Sequence, residues 1–212
     1  MNREHEAQER ARAYFNSKRV LPPAAVREQI VAAFDVLEAV LAGVSPDQAR
    51  RQPIPGEWSV QEVVDHLLET YRPGVDELRC LLAGRRPPGE PIPAGLQSKA
   101  PLLRPWPWLL AELHRTQGEI VDLIAAVPES FATDARVPFV MVVNVPGPDG
   151  AGRPLEWIEE VDWKAYAIAS WRLHTMDHLN QARKVLAAGR DLSRESSSRP
   201  AESRGPRRDR GG

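Results

Sequence analysis

The chain has 212 residues, 42% of them hydrophobic and 27% charged, with a formal net charge of -1. That length and apolar content suffice for one domain with a sizeable core. The near-zero charge excludes a global field that would draw the protein to nucleic acid or an anionic membrane. The single cysteine, Cys80, excludes an internal disulfide, and the charged start MNREHEAQER has no apolar signal segment. No apolar run nears the ~18 residues of a membrane span. A cytoplasmic location is the expectation, and the excess of Arg over Lys with many Ala, Pro and Gly points to a GC-rich bacterial genome.

In chain order, residues 1–20 are polar and read as a frayed helix or an extension. From Pro22-Pro23 a helix is predicted, because Val26, Ile30, Phe34, Leu37 and Leu41 recur at three-to-four spacing, with Gly43 as a stop. The connector SPDQARRQPIPGEW comes next. Ser59-Val60-Gln61-Glu62 then has the form of a capping box, and Val63, Val64, Leu67, Leu68, Tyr71, Val75 and Leu78 continue an apolar stripe to about Gly84. Pro73 inside that run should kink or split the helix. Residues 85–105 are rich in Pro and Gly. Antiparallel neighbours need only about 2–8 linking residues, so this length predicts a crossover to a parallel helix. The next helix is placed at 107–127, with Pro107 in its first turn.

Residues 136–161 change character. VPFVMVVNV, then PGPDGAG, then RPLEWIEEV read as strand, turn and strand, a β-hairpin. Asp162 should cap a last helix from Trp163 to about Ala188. The tail from 190 to 212 has too few apolar residues to offset the entropy of ordering and is predicted disordered. The expected architecture is all-α: a four-helix bundle of up-down-down-up type with long crossovers and a small hairpin before the last helix, spanning 21–189.

The last helix carries two histidines four apart, in RLHTMDHLNQ. At 100° per residue, Trp163, Ala167, Trp171, His174, His178, Gln181 and Val185 share a stripe, with Arg172, Met176 and Arg183 opposite. Residues i and i+4 lie close enough for both imidazoles to reach one ion. The pair also fits two hydrogen-bonded core histidines. It is not His-Glu-x-x-His, which removes the zinc-protease reading. Three other histidines could complete a site. His5 lies in the polar extension, His114 is placed at the surface, and His66 stands on the shoulder of its helix's apolar stripe.

GEWSVQEVVDHLLETY followed by VDWKAYAIASWRLHTMDHLNQARKVLA resembles the DinB/YfiT-like family of bacterial four-helix proteins, over roughly residues 24–188. In that family a Trp-Ser/Thr opens the second helix and a His comes two turns later; Trp58-Ser59 and His66 match. A His-x-x-x-His pair on the last helix matches His174 and His178. The resemblance implies a three-histidine site for a divalent metal, with Zn²⁺ favoured by imidazole ligands and Ni²⁺ or Fe²⁺ as alternatives. Gln181, Asp177 and Glu62 are candidates for the groups that orient the ligands, and Glu156 and Glu159 for an acid or base at the mouth. It further implies a metal-dependent S-transferase using a low-molecular-weight thiol such as mycothiol or bacillithiol, or a metal-hydroxide hydrolase, acting on a small molecule. The alternative is a non-catalytic, stress-linked bundle serving as a binding or scaffold protein. Neither nucleic acid nor membrane is expected as a partner, and a homodimer is compatible with such bundles.

Overall fold

In the computed structural model, residues 3–147 and 152–198 are described, with side chains up to Asp191. The chain is mostly helical with one two-stranded sheet. Its elements are α1 (Arg3–Arg19), α2 (Pro23–Leu41), α3 (Pro46–Arg50), α4 (Val60–Leu82), a 3-10 turn (Pro101–Leu103), α5 (Trp106–Ala125), β1 (Val137–Pro146), β2 (Gly152–Val161), α6 (Trp163–Ala167), a π-helical segment (Ile168–Leu173) and α7 (His174–Ser198).

The helix starts obey local chemistry. At the head of α4 the Ser59 hydroxyl accepts from the Glu62 amide, while the Glu62 carboxylate accepts from the Ser59 amide at 2.7 Å. Asp162 caps α6 by accepting from the Lys164 and Ala165 amides. α3 was hidden in the connector, yet Ser45 and Gln48 form a second capping box there. Pro73 does not split α4, which runs unbroken through it. The next residue, Gly74, lets α4 pack closely on α6 and the π-helical segment: a Cβ there would lie 3.0 Å from the Tyr166 hydroxyl and 3.5 Å from the Trp171 ring. Apolar packing on that face outweighs the roughly 3 kcal/mol penalty of an interior proline.

α2, α4, α5 and the α6–α7 stretch pack around one core, in which Ile30, Leu37, Leu67, Leu78, Leu109 and Trp171 are essentially inaccessible. β1 and β2 pair antiparallel from Val137 opposite Val161 to Pro146 opposite Gly152. Val137, Met141 and Val145 point inward, as the period of two requires. α1 is an ordered helix that buries Ala7 and Phe15 against this body. Arg12 reaches Glu159 and Arg19 reaches Asp162, tying α1 to the hairpin and to the start of α6.

The last helix runs on to Ser198, ten residues past its expected end. Residues 199–212 of the predicted disordered tail, and 148–151 of the hairpin turn, lie outside the described residues. Among the described residues no helix is long and apolar enough to cross a membrane.

Candidate metal centre

Three histidines from two distant segments meet beside the core. The potential ligand nitrogens of His66, His174 and His178 lie within 4.8 Å of one another. His66 comes from the second turn of α4, and His174 and His178 from the first two turns of α7. Their ring centroids are 4.5 to 4.9 Å apart. Against the expectation of a shoulder position, His66 is fully buried. The reason lies outside α4: the 85–105 crossover folds over that flank. The Gln97 side-chain amide donates to the Glu62 carbonyl, and Ser98 donates from both its backbone N–H and its hydroxyl to Asp65, each at 2.8 Å. Asp65 is itself fully buried and pairs with Arg104 at 3.0 Å.

The helical phase of the other two histidines also departs from a uniform wheel. The π-helical segment inserts one extra residue per turn between Trp171's end of the helix and the histidines. The buried stripe therefore passes through Thr175, Leu179 and Ala182. His174, His178 and Gln181 sit on its flank, partly covered, and Met176 turns toward a cavity instead of lying opposite the core.

Each imidazole already has an acceptor on one side. His66 Nδ1 faces the Leu96 carbonyl at 2.7 Å, and His178 Nδ1 faces Gln181 Oε1 at 2.9 Å. His174 hydrogen-bonds the Ser170 carbonyl. A carbonyl oxygen can only accept, so the ring nitrogen opposite it carries the proton and the other nitrogen is a bare lone pair. The Gln181 amide is oriented in turn by Glu57, which accepts from its NH₂ at 3.5 Å and from Lys184 at 2.6 Å. The Trp58 ring stacks on His178 with an interplanar angle of 13° and lies 5.0 Å from the His66 ring.

This donor set fits a divalent cation. His66 Nε2 and His174 Nε2 are 2.8 Å apart. A divalent cation held between them would replace this nitrogen–nitrogen contact with two metal–nitrogen bonds. Three nitrogens on a tetrahedral Zn²⁺ at ~2.0–2.1 Å would be roughly 3.3 Å from each other, so only small side-chain shifts separate this geometry from ligation. The rings are also held neutral, the form that ligates. Burial, reinforced by the neighbouring His178, lowers His66 from 6.5 to about 4. Burial lowers His174 well below its ordinary value and lowers His178 as well.

The other candidate residues divide between the site and the surface. Gln181 meets His178 directly, whereas Asp177 is exposed beside it. The Glu62 carboxylate is engaged in the capping box and by Gln52, not by His66. Glu159 is held by Arg12 and Trp157, Glu156 is exposed on β2, and neither lines the cavity that reaches the histidines. His114 is exposed and bonded to Glu38, and His5 is exposed on α1. The sequence reading missed Asp65, Leu96 and Glu57. A carboxylate inside the apolar stripe, next to His66, was the available signal for Asp65; the Leu96 carbonyl leaves none, since any residue supplies one.

A cavity of about 700 Å³ opens over His174 and His178, with Thr70 and Tyr71 on the α4 side. No curated protein and no solved structure gives a significant match to this chain. The profile of the DinB superfamily matches residues 29–182, a span that contains all three histidines of the cluster, Trp58, the whole of α4 and the start of α7. The chain belongs to the DinB superfamily.

Proposed function

We propose that the protein is a metal-dependent enzyme in which His66, His174 and His178 hold a divalent ion, Zn²⁺ first and Ni²⁺ or Fe²⁺ next, and that it transfers the sulfur of a low-molecular-weight thiol to a small electrophile. The observation that carries this reading is the convergence of three imidazoles with a potential ligand nitrogen each within 4.8 Å of the others, two of them with Nδ1 already turned to an acceptor. When bound, such an ion is a Lewis acid with coordination positions to spare, able to lower the pKa of a thiol or water. We read α2, α4, α5 and α6–α7 as a four-helix bundle of up-down-down-up type, supported by the long crossover before α5.

The chain's own residues then have distinct tasks. Leu96, Ser170 and Gln181 hold the three rings in one tautomer. Trp58 shields one side of the cluster from water. Asp177, which lines the cavity next to His178, is placed to take the thiol proton as sulfur bonds to carbon and the leaving group departs with its electron pair. A cavity of this volume adjoining the histidines supports a small-molecule site over a pure scaffold.

The test is elemental analysis of protein purified without a histidine tag, then incubation of the zinc-loaded form with a thiol and monochlorobimane. Stoichiometric metal, with thiol consumption that His174→Ala abolishes, is the expected result. Turnover of an ester without any thiol moves the assignment to a hydrolase. Absence of metal uptake at micromolar zinc overturns the proposal in favour of a non-catalytic bundle.

A further inference from the structure

The cavity over the histidines has walls of unusual origin. One end is His174 and His178. The far wall comes from two elements: α1, through Ala11, Tyr14 and Phe15, and the inward face of β1, through Phe139, Met141 and Val143. α1 precedes the first residue of the superfamily match, residue 29, so this wall belongs in part to a segment that the family pattern does not cover. Ile92 and Pro93 of the crossover close a third side, and the exposed Val142, Asn144 and Asn180 stand at its edge.

The charge of the lining is as informative as its shape. Among the described residues that line it there is no Lys and no Arg. The one carboxylate among those described residues is Asp177, next to the histidines. Besides the histidines, the hydrogen-bonding side chains of the lining are Thr70, Asn144, Ser170, Asn180 and three tyrosines, whose hydroxyls are engaged by Arg172 (Tyr14), Thr175 (Tyr71) and Glu77 (Tyr166). A carboxylate or phosphate on the body of a ligand would face an apolar wall here, with no cation among the described lining residues to pair with and Asp177 repelling it. Desolvating an unpaired charge against such a wall is unfavourable. An apolar group gains in proportion to the area it removes from water.

We propose that α1 and β1 together form the specificity wall of this site, and that the wall selects a ligand whose body, beyond the group held at the histidines, is uncharged and chiefly apolar. This rests on the functional reading above only for which end of the cavity reacts. The volume of about 700 Å³ accommodates a two-ring aromatic molecule or a chain of similar bulk. α1 is held by the burial of Phe15, and its contacts Arg12 to Glu159, Arg19 to Asp162 and Arg172 to the Tyr14 hydroxyl at 2.9 Å set its orientation. Its contacts therefore fix how long a ligand can be.

Calorimetric titration of the full-length, metal-free protein with 2-naphthalenemethanol and with 2-naphthoate tests this, because the two probes have nearly the same shape and differ in charge. The alcohol should bind at least tenfold more tightly than the carboxylate. Val143→Trp and Ala11→Trp, which fill the cavity from β1 and from α1, should each weaken the alcohol at least tenfold while the thermal midpoint stays within a few degrees of the parent. Equal affinity for the two probes, or alcohol binding indifferent to whichever Trp variant remains folded, overturns the proposal. Zinc uptake is read on the same samples by competition with a chromophoric chelator. Loss of zinc uptake alone would sink the functional reading and leave the wall intact, and loss of probe selectivity alone would do the reverse.

Discussion

At the scale of single residues, the centre depends on acceptors that fix ring tautomers more than on the ring positions alone. Gln181 is the clearest case, since its Oε1 meets His178 Nδ1 and its NH₂ is turned by Glu57. Gln181→Ala should leave the fold intact and lower zinc affinity about 10–100-fold, as loss of a ligand's hydrogen-bond partner does; chelator competition measures it. The same burial that keeps the rings neutral makes the metal-free protein acid-sensitive. The folded-state pKa of His66 is about 4, below the 6.5 of an unperturbed imidazole, and those of His174 and His178 are lowered too. Between those values the unfolded chain binds protons that the folded chain resists, so stability is complete above pH 6.5 and declines as pH falls toward 4. Urea midpoints of the metal-free protein at pH 7.5, 6 and 5 should decrease in that order. A His66→Gln variant should show a shallower decline; an unchanged slope would mean that carboxylates elsewhere govern the response.

At the scale of elements, two irregular pieces decide where the histidines point. The π-helical segment rotates His174 and His178 off the buried stripe and onto the cavity. The crossover brings the Leu96 carbonyl to His66, and Asp65 is its anchor through Ser98 and Arg104. Asp65→Ala removes two hydrogen bonds and one partner of Arg104. Arg104 keeps Glu69 at 2.7 Å, so it is not left as a lone buried charge. The expected loss is therefore about 1–3 kcal/mol and not the larger penalty of an orphaned ion. Zinc affinity should fall with it, because the loop that positions His66 is freed. Chemical denaturation and chelator competition on one preparation check both; lost stability with unchanged zinc affinity would separate the loop from the site.

At the scale of the whole molecule, the N-terminal helix is held by burial and not by its ion pairs. Arg12 and Arg19 are both 40% or more exposed in their pairs, a setting in which an ion pair contributes at most about 1 kcal/mol. Phe15 is 8% exposed, and truncating a buried aromatic ring costs about 3–5 kcal/mol. Phe15→Ala should therefore lower the urea midpoint far more than Arg12→Ala, and it should also enlarge the cavity. Comparable effects from the two substitutions would show that charge carries the attachment.

Much of this protein was legible along the chain. The apolar periodicities at Val26–Leu41 and Val63–Leu78, the capping box at Ser59, the cap at Asp162 and the strand-turn-strand at 136–161 all express interactions between near neighbours, and α2, α4, α6 and the hairpin begin close to where those signals stand. The pair His174 and His178 was legible because the two share a helix face, whereas His66, on the shoulder of its stripe, joined them only through the resemblance to the DinB/YfiT-like family. What tertiary structure alone decided was how these elements face one another. A wheel of uniform pitch cannot foresee a π-helical turn, and no local pattern announces that residue 96 will offer its carbonyl to residue 66. Nor does a polar, charged stretch such as residues 3–19 reveal that Phe15 will be buried and that its helix will wall a cavity. Those outcomes depend on contacts between residues far apart in sequence, where packing and burial outweigh local preference.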